Sequence, residues 1–331
     1  MPDHKIQRRS IPSLARKAGR IVLTVISVFL ACILILVGVL QFWSYPGKPA
    51  PFVDENGRPL AGSLSEKVFV KINGVEQGMF IQSKDVTNPV LLYLHGGIPD
   101  YFLTERYPTG LEKYFTVVWW EQRGSRLSYS ADIQPGTITL EQMIADTLEV
   151  TNYLRQRFGK EKIYLMGHSG GSFIGIQAAA QAPELYYAYL ALRDVAMHSL
   201  GIGTTHDMDS IINGILIPSF QSRDYTLKEK IDLWHGKASS GVASLWREMI
   251  STDLSQETPK LDLPVYFMEG IYDYTCSYTE AKAYFDILQA PVKGFYTFEQ
   301  SAHSPFFEEP EKMQKILLED VLAGANHLAD R

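Results

Sequence analysis

The sequence predicts an α/β fold in which a mostly parallel sheet of eight strands carries helices on both faces. Three observations predict it. Short, continuously apolar runs recur at Val90–Leu94, Phe115–Trp120, Ile163–Met166, Tyr189–Leu192, Val265–Met268 and Gly294–Phe298. Uniformly apolar strands of that length suit a sheet buried on both faces, and amphipathic stretches at helical spacing lie between them. Ahead of them, Val68–Ile72 and Gly78–Gln82 alternate apolar and polar residues across Asn73-Gly74, the pattern of an antiparallel hairpin.

The chain has 331 residues, 46% hydrophobic and 21% charged, proportions that exclude a collagen, a disordered tail protein or a coiled-coil rod. A net charge of −6 leaves no basic face for nucleic acid. Cys32 and Cys276 are the two cysteines, too few for a disulfide framework or a four-ligand zinc site. The chemistry expected below calls for neither metal nor cofactor.

Charge is concentrated at the beginning. Residues 1–20 carry Lys5, Arg8, Arg9, Arg16, Lys17 and Arg20 against the single acid Asp3. Residues 21–40 then contain no charge. At 1.5 Å per residue a helix of that length spans about 30 Å, the thickness of a bilayer's hydrocarbon core. Phe42, Trp43 and Tyr45 follow, and Trp and Tyr favour the headgroup interface. A cleaved secretory signal has a shorter apolar run ending in small residues, so residues 21–43 are read as an uncleaved anchor in contact with lipid. The basic residues before it are expected to hold the N-terminus in the cytoplasm and the body outside.

Residues 44–64 begin with a Pro- and Gly-rich stretch and read as a linker. The body is expected over residues 65–325. Its helices include residues 140–158, with Met143, Ile144, Leu148, Tyr153 and Leu154 on one face, and residues 312–322 behind Pro310. From about 193 to 261 the rhythm breaks into helical sequence without clear strands, too long for a plain loop. It reads as a short helical cap inserted into the sheet order.

The sharpest chemical signal is Gly167-His168-Ser169-Gly170-Gly171 between the strand ending at Met166 and the apolar stretch Phe173–Ala180. A G-x-S-x-G sequence in that context is a nucleophile elbow: small residues let the chain turn sharply and lift the serine Oγ off the strand end. The N–H of Gly170 then faces a developing oxyanion. A serine needs a base and the base an orienting carboxylate. Among eight histidines, His303 follows the last strand, and Asp273 follows the strand before it. The chain order Ser169, Asp273, His303 is that of the α/β-hydrolase triad. Asp262 precedes its strand and Glu269 sits close to a strand end, so both are lesser candidates for the acid. The second oxyanion donor is expected from Gly97 in His95-Gly96-Gly97-Ile98-Pro99, and His95 is read as a structural loop residue.

These segments, with Trp120-Glu121-Gln122-Arg123-Gly124, resemble the proline iminopeptidase branch of the α/β-hydrolase superfamily over roughly residues 65–325. The resemblance implies a serine peptidase that releases an N-terminal residue from short peptides without a cofactor. It carries the nucleophile to Ser169, the acid to Asp273, the base to His303 and the oxyanion donors to Gly97 and Gly170. The chain departs from the family at Ile98, where a proline is usual, at Arg126, where a glycine is usual, and at Gly170, where a bulky residue is common. The family's cap supplies carboxylates that hold the substrate's ammonium; here Asp207, Asp209 and Glu248 are among several possibilities, each read first as part of a solvated helix face, and the substrate-binding residues are left open. A carboxylesterase or amidase on the same triad, and an inert hydrolase-like surface module, are the competing functions.

Overall fold

The computed structural model describes residues 13–193, 205–208, 210–240, 244–274 and 277–330. Most of the basic tail, with His4, His198, Asp209 and Cys276, lies outside the described residues. The chain divides into two units, Met1–Trp43 and Ser44–Arg331. The first holds one helix, α1 (Ser13–Trp43), whose segment Lys17–Trp43 is long and apolar enough to be a candidate membrane span or signal sequence.

In the second unit, β1 (Leu64–Ile72) and β2 (Val75–Ser83) form the hairpin. Asn73 and Gly74 both take positive φ, 43° and 84°, as a two-residue hairpin turn requires. The remaining strands are β3 (Val90–Leu94), β4 (Thr116–Trp120), β5 (Ile163–Ser169), β6 (Tyr186–Arg193), β7 (Val265–Gly270) and β8 (Lys293–Phe298). They form one eight-stranded sheet in the order β1-β2-β4-β3-β5-β6-β7-β8. Pairs involving β1 and β2 are antiparallel and every other pair is parallel. Helices cover the two faces, so β3, β4, β5 and β7 are buried along their whole length.

Helix α2 (Leu140–Phe158) starts where the Thr139 side chain accepts the Gln142 N–H, a cap worth about 1 kcal/mol. Its Leu140, Met143, Val150 and Leu154 enter one core layer, together with Ile174 and Ile176 of α3 (Gly170–Gln181). The opposite layer holds Tyr93, Trp119, Met166 and Phe306. Between β6 and β7 the described residues form four helices, α4 (Ile217–Gln221), α5 (Leu227–Ser240), α6 (Ser244–Ser251) and α7 (Leu254–Glu257). Helix α8 (Tyr278–Ile287) links β7 to β8, and α9 (Pro305–Glu308) and α10 (Pro310–Ile316) follow β8. This arrangement brings the ends of β3, β5, β7 and β8 together beneath the cap.

Candidate active site

Ser169 is the last residue of β5 and immediately precedes α3. Its backbone sits at φ 59°, ψ −132°, a left-handed region that an L-residue occupies only at a cost of about 1–3 kcal/mol. The neighbouring glycines show why the turn is possible. A Cβ on Gly167 would stand 2.6 Å from the Gly171 carbonyl oxygen, and one on Gly171 would stand 2.2 Å from that of Leu94. Small residues on both sides of the serine are thus a steric requirement. Ser169 itself is buried.

The loop after β3 closes over the serine. A Cβ on Gly96 would lie 2.4 Å from the Ser169 Oγ, so backbone passes directly against the hydroxyl. His95 pins this loop. Its Nδ1–H donates to the Gly96 carbonyl at 2.7 Å, and its Nε2 accepts the Gln122 N–H at 3.1 Å. The Gln122 amide returns a bond to the His95 carbonyl at 2.9 Å. Burial pushes the His95 imidazole down to about 4, which matches the neutral tautomer those bonds need. The Gly97 N–H has no acceptor among the described residues.

Asp273 follows β7 and His303 follows β8, and the His303 Nδ1 meets the Asp273 Oδ2 at 2.9 Å. Because a carboxylate only accepts, Nδ1 carries a hydrogen, and in the neutral ring Nε2 is then the nitrogen with the free lone pair. The lesser acid candidates lie elsewhere: Asp262 pairs with Lys260 on the exposed surface at 2.6 Å, and Glu269 is a buried residue of β7.

A second chain of bonds reaches His303 from the other side. The His168 Nε2–H donates to the His303 backbone carbonyl at 2.9 Å. The His168 Nδ1 faces the Asp100 Oδ2 at 3.1 Å, and that oxygen accepts the Tyr93 hydroxyl at 2.6 Å. All three side chains are buried. Sequence reasoning missed this chain, because nothing in the spacing of Tyr93, Asp100 and His168 marks them as partners.

Beside Gly96, Gly97 and Gly170 opens a cavity of about 510 Å³. Ile138, Met143 and Ile174 line its body side, and Leu245, Trp246 and Met249 its cap side. Its charged lining residues are Arg123 and Lys237; no Asp or Glu lines it among the described residues. Arg123 is bonded to both oxygens of the buried Asp146, at 2.6 and 2.9 Å. Among the described cap acids, neither Asp207 nor Glu248 lines this cavity. Glu248 accepts the Leu140 N–H at 3.4 Å and lines a separate cleft, while Asp207 lies near Glu308.

The departure at Arg126 has a structural role. Its φ is 29°, in the region that favours glycine, yet the side chain is 1% exposed. Its guanidinium lies 3.2 Å from the Tyr225 ring centroid and donates to the Ser219 carbonyl at 3.0 Å. Both partners belong to the cap, so the arginine ties the loop after β4 to it. Tyr225 in turn donates to Glu121, whose other oxygen accepts the Leu127 N–H at 2.8 Å. Burial lifts the Glu121 carboxyl to about 7, against the opposing pull of Arg126.

Comparison with known proteins agrees with this architecture. A family model described as alpha/beta hydrolase fold matches residues 89–186. The chain is 29% identical over 298 residues to the Bacillus subtilis (strain 168) protein named probable aminopeptidase YbaC, covering 75% of this chain and 93% of that one. A serine hydrolase involved in carbazole degradation superposes with a TM-score of 0.60 at 17% identity, covering 78% of this chain and 99% of the other. A proline iminopeptidase-related protein of Thermus thermophilus does so with a TM-score of 0.53 at 20% identity, covering 78% and 98%. Strand order, elbow and relatives lead to one conclusion: the chain has the α/β-hydrolase fold and resembles the proline iminopeptidase branch within it.

Proposed function

We propose that the chain is a membrane-anchored serine hydrolase of aminopeptidase type, with Ser169 as nucleophile, His303 as general base and Asp273 as its orienting acid. The observation that carries the reading is the 2.9 Å contact of Asp273 with His303 Nδ1, with the His303 carbonyl bonded to His168, the residue before the strained backbone of Ser169. The Ser169 Oγ attacks the substrate carbonyl carbon and passes its proton to His303 Nε2. The oxyanion is held by the N–H groups of Gly97 and Gly170. Collapse breaks the bond to the leaving amine, which takes the proton from His303 and leaves an acyl-enzyme. Water, deprotonated by His303, then releases the acyl group and restores Ser169. The name of the Bacillus subtilis relative supports the peptidase reading.

A second reading, carboxylesterase or amidase on the same residues, is favoured by a cavity without a carboxylate among its described lining residues. An aminopeptidase pairs its substrate's ammonium with acids. Two assays separate the readings. A fluorophosphonate probe is expected to label the wild type and to leave Ser169→Ala unlabelled; equal labelling removes the serine mechanism. Faster turnover of a proline naphthylamide than of a short-chain nitrophenyl ester supports the aminopeptidase, and the reverse supports the esterase.

The apolar helix Lys17–Trp43 supports anchoring by residues 21–43, with the N-terminus cytoplasmic and the body outside. External protease on intact cells is expected to digest the body and spare the first twenty residues. Protection of the body would reverse the orientation.

A further inference from the structure

We propose that Lys237, in the cap wall of the cavity beside Gly97 and Gly170, receives a carboxylate of the substrate and so directs the enzyme to small, largely apolar compounds with one anionic end. The inference deepens the reading of Ser169 as nucleophile and rests on it. Its first support is the chemistry of the walls. Ile138, Met143, Ile174, Leu245, Trp246 and Met249 make the cavity apolar, and the charged residues of its described lining are Arg123 and Lys237. In a site of that kind a few placed polar groups fix the ligand's orientation. Arg123 already holds both oxygens of the buried Asp146, so its charge is offset inside the protein. Lys237 carries three donors on a flexible stem, and it can add a ligand oxygen to the interactions it already makes.

The second support is how firmly the residue is placed. Lys237 belongs to α5, and Gly236 just before it packs on the loop after β4. A Cβ on Gly236 would stand 2.5 Å from the Gly124 carbonyl oxygen. One residue earlier, the His235 ring centroid lies 5.7 Å from that of Tyr129. Helix and loop thus meet at 235–236 and bring Lys237 to the part of the wall that Gly124 and Ser125 also form. The third support is electrostatic reach. Burial lowers the His95 imidazole, and the Lys237 ammonium is among the charges that act in the same direction. His95 pins the loop of Gly96 and Gly97, so this ammonium acts at the end of the cavity where the oxyanion donors lie. An ammonium and a carboxylate between apolar walls attract more strongly than the same pair in water, and the bond between them is charge-assisted. A substrate's ammonium in the same place would meet two cations instead.

The test measures how a ligand protects the full chain from a fluorophosphonate probe. 4-Phenylbutyrate and its neutral amide share one apolar body and differ in charge. In the wild type the carboxylate is expected to halve the labelling rate at a concentration about 10- to 100-fold lower than the amide needs. In Lys237→Met and Lys237→Gln that ratio should fall to about threefold or less, while Lys237→Arg, which keeps the cation, should retain most of it. Each ratio is taken within one protein, so a loss of folded enzyme does not imitate the effect. Equal protection by the two ligands in the wild type overturns the inference and leaves the serine mechanism intact. Protection by neither ligand, or a carboxylate preference that survives both neutral variants, does the same. A wild type that takes no label overturns the reading of Ser169 as nucleophile, and the inference falls with it.

Discussion

His168 holds the backbone of His303: its Nε2–H donates to the His303 carbonyl at 2.9 Å, and the two imidazole centroids lie 4.7 Å apart. Since a carbonyl only accepts, Nε2 bears a hydrogen, and the other end of the ring faces Asp100, with Nδ1 at 3.1 Å from its Oδ2. His168 thereby connects the residue before the elbow serine to the loop that presents the base.

Replacing it tests positioning. His168→Ala is expected to lower kcat by about 10- to 100-fold with little change in KM, because misplacing a base by a fraction of an ångström costs rate more than binding. Steady-state kinetics beside a thermal melt decide the matter. A fall in activity that merely tracks lost folded protein would leave His168 without this role.

Ser169→Ala is expected to reduce turnover by a factor on the order of 10³ to 10⁶. His303→Ala should cost a similar amount, and the double variant little more, since the two act as a unit. Additive losses, or substantial turnover in the serine variant, would exclude the proposed mechanism.

Gly96→Ala would place a Cβ 2.2 Å from that of Ser169 and 2.4 Å from its Oγ. Activity should fall by at least about 100-fold. Gly136→Ala, where nothing lies within 4 Å, should leave it unchanged. Equal activity in the two variants would mean that the loop does not press on the serine.

Glu121 makes stability depend on pH. Its carboxyl is raised from 4.5 to about 7 by burial, so the folded state keeps a proton that the unfolded chain has released. Its contribution is full below about 4.5 and is lost as pH rises through about 7, a change on the order of 3 kcal/mol. Glu308, also raised to about 7, acts in the same direction. In Glu121→Gln the amide oxygen can take the Leu127 N–H and its N–H₂ can face Tyr225. Urea melts at about pH 5 and about pH 8 should therefore show a smaller loss for the variant than for the wild type. Identical losses would exclude Glu121 as a source of the dependence.

The cavity predicts weak selection for a free amine. Its described lining offers Arg123 and Lys237 but no carboxylate, so unblocked and N-acetylated forms of one small substrate should differ in kcat/KM by less than about 100-fold, or roughly 3 kcal/mol. A larger preference for the free amine would require a carboxylate that reaches the substrate, and would favour the peptidase over the esterase.

Much of this architecture was legible because it is written in local patterns. The apolar run Val90–Leu94 coincides with β3, and Leu140–Phe158 with α2. The strand read as ending at Met166 continues to Ser169, because Gly167, His168 and Ser169 still pair with Ala191, Leu192 and Arg193; small and polar residues hid the extension. The meeting of Asp273 and His303 was legible because each follows the end of a strand. The bonds from Asp100 to His168 and from Arg126 to the cap were not. They join segments far apart in sequence and leave no periodic trace. Asp207 and Glu248 show the converse: their charge made them candidates, but the packing of the cap turned them elsewhere.

The cap is inserted between strands that are neighbours. The chain leaves β6 and returns through β7, and Ala191 stands beside Phe267 in the sheet. Because the two strands are parallel, the chain leaves at the far end of β6 and re-enters at the near end of β7, where Val265 lies level with Tyr189, so exit and entry are offset by about 13 Å along the strands. Whatever occupies the interval must cover that return, and beyond it the ladder beneath is indifferent to its length. A graft of a foreign cap between Arg193 and Leu261 would inherit the elbow serine and the Asp273–His303 pair, which are carried by the sheet. It would lose the Arg126 tether to Tyr225 and the walls supplied by Trp246 and Met249. For this chain, new substrate preference is therefore an exchangeable part, and the machinery under it is a chassis.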